Sequence, residues 1–154
     1  MQRISLLCIG ALKEPWAKDA SRLYRDRLAS SVDVRVLELQ PSRQPHATGQ
    51  QSEESERLLM SARKSPGEIW VLDERGKETT SQEFAKMLGE ARDHGIAVTF
   101  ILGGSYGLTD GVRTAARKVI RLSSMTLPHE LCRIVFLEQL YRAFEILKGS
   151  GYHH

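Results

Sequence analysis

Three segments of this sequence carry the residue types that hold a small ligand and move a proton, and each follows an apolar run that reads as a β-strand. The first is Gly103-Gly104-Ser105-Tyr106-Gly107-Leu108, after Val98-Thr99-Phe100-Ile101-Leu102. Glycines at that density let the backbone approach a ligand closely and leave its N–H and C=O groups free to bind. The spacing is GGxxG, so it is not the dinucleotide fingerprint, and without Gly-Lys-Ser/Thr at its end it is not a P-loop. By itself it reads as a tight loop more often than as a site. The second segment is Leu72-Asp73-Glu74-Arg75-Gly76-Lys77, after Ile69-Trp70-Val71, which reads by itself as a turn with Gly76 at positive φ. The third runs from Leu122 through Ser123-Ser124-Met125-Thr126-Leu127 to Pro128-His129-Glu130. Pro128 sits where a helix would begin, His129 lies in its first turn, and the free amides of a helix start favour an anionic group. In α/β sheets ligands collect at the carboxyl ends of strands, which gives the three loops weight as a set.

The elements that must position these loops emerge from the apolar pattern. Strands are expected at Ile4–Ile9, Val32–Leu39, Ile69–Leu72, Ala97–Leu102 and Val119–Leu122. Several are continuously apolar, as strands covered on both faces are. A helix starts near Pro15 with Ala20, Leu23, Tyr24 and Leu28 inward and Lys18, Arg22 and Arg25 on another side. A second is expected at about Ser52–Arg63, after a polar and mobile stretch from Pro41 to Gln51. A third comes after Thr80, which with Glu83 forms a capping box, and stops near Gly95. Alternating strands and helices imply an α/β fold, a mainly parallel sheet flanked by helices.

The last helix, Pro128 to about Leu147, is apolar on two sides: Leu137, Leu140, Tyr141, Phe144 and Leu147 form one stripe, and Cys132, Val135, Phe136 and Ala143 another. Such a helix is either deeply buried or packs on its own sheet and on a partner, and a twofold dimer interface is the favoured reading. Arg113, Arg117 and Arg121 recur every fourth residue and are read as one basic side, solvated or set to meet phosphate.

Composition sets the frame. The chain has 154 residues, is 41% hydrophobic and carries a formal net charge of +3, enough for one core and a weak hint of polyanion binding. Cys8 and Cys132 stand alone, with no CxxC pair and no metal-ligand spacing, so no metal is expected. The opening Met1-Gln2-Arg3 and its short apolar run break at Gly10 and Lys13-Glu14-Pro15, unlike a signal peptide, and no apolar run spans a bilayer. A cytoplasmic setting without membrane attachment is expected.

At these loops the sequence resembles the ribosomal RNA large subunit methyltransferase H family, a minimal branch of the SPOUT methyltransferases. The resemblance runs over the whole chain and is strongest in Ile101-Leu102-Gly103-Gly104 with Gly107-Leu108, in Leu122 through His129, in Leu140-Tyr141-Arg142-Ala143 and in the terminal Tyr152-His153. It implies a single SPOUT methyltransferase domain over 1–154 with a trefoil knot in its carboxyl-terminal half. It further implies S-adenosylmethionine as cofactor, a homodimer whose site is completed by the second copy, and N3 methylation of a pseudouridine in large-subunit (23S) ribosomal RNA. A domain this small has little room to read a long RNA by itself, so the assembled ribosome is the expected substrate.

By position, the family's cofactor contacts fall on Leu72, Gly103, Leu122, Ser123, Ser124, Met125, Thr126 and Leu127. His129 is the leading candidate for the base, or for the group that orients it, and Tyr152 and His153 for orienting the nucleotide. The family ends in Tyr-His-Arg, whereas here His154 replaces the arginine, which puts a permanent positive charge in doubt. Two other readings stay open: a related methyltransferase acting on a different nucleotide, and a non-catalytic RNA- or nucleotide-binding module.

Overall fold

The computed structural model describes residues 1–154. In chain order its elements are β1 Gln2–Ile9, α1 Pro15–Leu28, β2 Val32–Leu39, α2 Ala47–Arg63, β3 Glu68–Glu78, α3 Ser81–Asp93, β4 Val98–Leu102, α4 Asp110–Ala115, β5 Lys118–Arg121 and α5 His129–Lys148. The five strands form one sheet in the order β2-β1-β4-β3-β5, and every pairing is parallel. The α/β fold read from the alternating pattern is thus present.

Continuously apolar strands have to feed two cores, because successive side chains point to opposite faces. Ile4, Leu6, Cys8, Trp70, Leu72, Phe100 and Leu102 join the larger core, together with Phe84 and Leu88 of α3, Leu28 of α1 and Phe136 and Leu137 of α5. Their neighbours Leu7, Ile9, Val71 and Ile101 turn to a smaller core closed by Leu58 and Ala62 of α2 and Val112 of α4. At the centre of the larger one, Phe100 lies 4.7 Å from Phe136 and 5.5 Å from Trp70. Burying a side chain of the size of Phe contributes about 1.5–3 kcal/mol.

Local signals fix several ends. Pro15 opens α1, and the Thr80–Glu83 capping box opens α3, with Glu83 N–H donating to Thr80 Oγ1 and Thr80 N–H to Glu83 Oε2, both at 3.1 Å. Gly149 ends α5 in the left-handed conformation at φ 69°, which costs glycine least.

Three expectations need correction. The stretch from Pro41 to Gln51 is not all loop, since α2 begins at Ala47 with no side-chain cap to announce it. Leu72 to Lys77 is not a turn either: β3 continues to Glu78, with a register shift in which Ile120 faces both Leu72 and Lys77. Gly76 has no positive φ; a Cβ there would stand 2.6 Å from the Ile120 carbonyl carbon, so close strand approach is what requires glycine. Finally, Arg113, Arg117 and Arg121 do not share a helical side, because they lie in α4, in the loop after it and in β5.

The connection from β5 to α5 brings distant segments together. Beyond edge strand β5, residues 122–128 lead back to the far side of β3 and β4, and His129 arrives beside Ile9 at the end of β1.

Candidate functional site

A cavity of about 570 Å³ opens at the bulge of β3 and beyond the ends of β4 and β5, within the range of small-molecule sites. Its wall contains Leu72 from β3, Gly103 after β4, and Leu122, Ser123, Met125, Thr126 and Leu127 after β5, together with His129. Ser124 is exposed and does not line it, nor do Tyr152 and His153 of the same chain. Asp73 of the second segment and Arg113 and Arg121 of the arginine row also line it, as do Gln51 and Cys132, which the sequence did not single out as site residues.

Leu72, Leu102, Leu108, Leu122 and Leu127 make the apolar part of its lining. The glycine loop folds back on itself: Gly107 N–H donates to the Gly104 carbonyl at 3.0 Å and takes φ 77°. Gly103 is buried, and a Cβ on it would come within 2.8 Å of the Leu108 side chain. A larger residue there disturbs the loop itself as well as any ligand, more than an exposed loop would allow.

The bulge in β3 also brings Asp73 to the lining, and its Oδ1 accepts from Arg75 N–H at 2.8 Å. Asp73 Oδ2 receives Arg113 Nη1 at 3.0 Å, and the same guanidinium donates to the Leu108 carbonyl at 2.9 Å and to Asp110 at 2.5 Å. Arg113 is therefore a brace between β3, α4 and the glycine loop rather than a free phosphate contact. Arg117 is exposed and near Glu68, and Arg121 faces Glu78.

The first turn of α5 is anchored from three sides. His129 Nε2 lies 3.3 Å from the Ile9 carbonyl. A carbonyl can only accept, so Nε2 carries the hydrogen of that bond and Nδ1 is left free. Arg133, 2% exposed, donates to Glu38 and to the Gly10 carbonyl at 2.8 Å. Glu130 accepts from the Lys13 and Glu14 amides at 2.6 and 3.2 Å, and those bonds, Lys13 first, hold its carboxyl below the usual glutamate range.

The two thiols do not compete as nucleophiles. Burial pushes Cys8 up to about 11 and raises Cys132 as well, so both stay protonated near neutrality. No three His, Cys, Asp or Glu side chains come together as a metal site.

The chain's end makes a separate cluster on α5. Tyr152 packs edge-on against Tyr141 at 4.9 Å, Arg142 lies over its ring, and Arg142 Nη1 donates to His153 Nδ1 at 3.1 Å. Glu138 accepts from Arg142 at 2.8 Å. Burial, followed by the charge of Glu138, raises the Tyr152 phenol, which keeps its hydrogen.

The cavity is lined by the bulged part of β3, the glycine loop after β4 and the returning segment after β5. The family model described as "Predicted SPOUT methyltransferase" matches residues 2–153. The chain belongs to the SPOUT methyltransferases. Among curated relatives of this SPOUT chain, the ribosomal RNA large subunit methyltransferase H of Maridesulfovibrio salexigens is 42% identical over 100% of this chain and 99% of its own length. Proteins of the same name from Geobacter sp. strain M21 and Lactobacillus acidophilus are 39% and 34% identical, covering 99% and 97% of this chain and 99% and 98% of their own lengths. The chain therefore also falls within that branch of the SPOUT family. No helix is long and apolar enough to cross a membrane.

Proposed function

We propose that this SPOUT chain is a single-domain, cytoplasmic, homodimeric enzyme that uses S-adenosylmethionine to methylate N3 of a pseudouridine in large-subunit ribosomal RNA on assembled ribosomes. One observation carries the reading: Leu72, Gly103, Met125 and His129, distant in sequence, line one cavity. The names of the relatives, ribosomal RNA large subunit methyltransferase H, supply the substrate class.

The residues present fit the donor. Leu72, Leu122 and Leu127 offer an apolar slot for adenine, and the backbone of Gly103 and of 122–127 offers partners for its edge. When bound, S-adenosylmethionine supplies a methyl group already activated by a positive sulfur. The chain's own residues then have to fix the nucleobase and take up the imide proton. His129 Nδ1, left free by the Ile9 contact of Nε2, accepts that proton. Ser124, exposed beside the cavity wall, becomes a cofactor contact only if its backbone serves or the loop shifts.

Tyr152 and His153 act in this reading on the second copy's cavity, since they do not line their own. The half-exposed Trp16 and Leu23 of α1 beside the partly buried side of α5 support a twofold interface that brings the tails across. The path of residues 122–128 past two strand ends supports the family's trefoil knot as the framework of the site.

Labelled methyl transfer to intact ribosomes, free subunits and free ribosomal RNA, with and without the pseudouridine, tests the proposal. Transfer to pseudouridine-containing ribosomes is expected. Transfer that ignores the pseudouridine points to the related-nucleotide reading, and no binding of S-adenosylmethionine points to a binding module.

A further inference from the structure

Helix α2 carries Gln51, Glu54 and Ser55 three and four residues apart, hence on one side, and that side lies against the glycine loop. Gln51 Nε2 donates to the Tyr106 carbonyl at 3.0 Å and to the Leu108 carbonyl at 3.4 Å. These carbonyls flank Gly107, the residue at φ 77°. Ser55 Oγ accepts from Thr109 N–H at 3.1 Å. Glu54 is buried, accepts from Ser42 N–H at 2.9 Å, and its other carboxylate oxygen stands where a side chain on Gly104 would have to go. Gln51 also reaches the cavity wall.

A loop with three glycines loses more conformational entropy on ordering than one of the same length without them. The internal Gly104–Gly107 bridge is a small hold on it. Contacts made before the ligand arrives remove that ordering cost from binding. We propose that Gln51 is a positioning residue: with Ser55 and Glu54 it fixes the glycine loop in its binding shape and so sets the affinity for S-adenosylmethionine, without acting on the methyl or the proton. This rests on the methyltransferase reading above.

Gln51→Met keeps chain length and helix preference but removes both donors, whereas Gln51→Lys restores a donor at similar reach. Calorimetric titration of the intact protein with S-adenosylmethionine should show about tenfold weaker binding for Gln51→Met, the loss of two modest hydrogen bonds, and recovery of most of it in Gln51→Lys. In the methyl-transfer assay, KM for S-adenosylmethionine should rise while kcat at saturating donor and KM for ribosomes stay level. Without any ligand, amide exchange at Gly107 and Thr109 should quicken in Gln51→Met at an unchanged unfolding midpoint.

Equal affinity in wild type and Gln51→Met overturns the inference whatever the exchange rates, as does a fall in kcat with KM unmoved. If the wild-type protein binds no S-adenosylmethionine, the methyltransferase reading falls and takes this inference with it. If wild type binds and Gln51→Met binds as well, this inference alone falls.

Discussion

Asp73 and Arg113 meet at 3.0 Å on the cavity wall, with side chains only 7% and 15% exposed. The pair joins the bulge of β3 to α4, and through the Leu108 carbonyl it joins both to the glycine loop. Removing one partner of a shielded pair leaves the other charge unmatched, which costs more than the pair contributes. Arg113→Met should destabilise the fold by about 3 kcal/mol or more. Asp73→Asn should cost about 1 kcal/mol, because Asp110 still faces the guanidinium. Urea unfolding of the two variants checks this, and an unchanged midpoint in Arg113→Met contradicts the bracing role.

Glu130 makes stability depend on pH in a defined direction. Its carboxyl is held low in the folded chain by the Lys13 and Glu14 amides, so the folded state favours the ionised form. That contribution is complete above the ordinary glutamate pKa and is lost as pH falls through the lowered folded value. Unfolding midpoints recorded from neutral to acidic pH should drop over that window in wild type. Glu130→Gln should start lower at neutral pH and show less of the drop; parallel curves would dissociate Glu130 from it.

Gly76 and Gly95 should fail for different reasons. Alanine at Gly76 places a methyl 2.6 Å from the Ile120 carbonyl carbon, so β3 and β5 must separate, at about 1–3 kcal/mol. Alanine at Gly95 meets nothing within 4 Å and only strains a φ of 68°, at about 1 kcal/mol. Calorimetric binding of S-adenosylmethionine should therefore weaken in Gly76→Ala and hold in Gly95→Ala, since only the first disturbs the cavity. The opposite pattern would show that the bulge does not shape the site.

Much of this arrangement was legible in the sequence, for physical reasons. Strands buried on both faces are continuously apolar, and Ile4–Ile9 and Val98–Leu102 announce themselves that way. The Thr80–Glu83 box is local chemistry and reads directly. The start of α2 is not local: Thr48 and Gly49 are poor helix formers, and His46 offers no side-chain cap. Gly76 misleads because a glycine required by a neighbouring strand looks like a glycine required by a turn. The arginine row misleads because spacing by four means a shared side only if the helix continues, and α4 stops at Ala115. Gly103 and Leu122 to Leu127 are legible because they come after strands, whereas Gln51 reaches the cavity from α2 through tertiary contacts that leave no motif.

The tail gives a separable prediction. Tyr152 and His153 rest on Arg142 and Tyr141, away from their own chain's cavity. Removing Tyr152 to His154 should leave calorimetric binding of S-adenosylmethionine unchanged and lower kcat for ribosomes by about 10²-fold or more, as loss of a group that orients a reactant does. Unchanged turnover would remove both residues from the site.

The most direct measurement is a crystal structure of the protein with S-adenosylmethionine bound. Its adenine should lie among Leu72, Leu122 and Leu127, its length against the backbone of Gly103, and its methyl should point toward the His129 side of the cavity. Cofactor density elsewhere on the molecule, with this cavity unchanged and empty at saturating ligand, would contradict that placement and the function built on it.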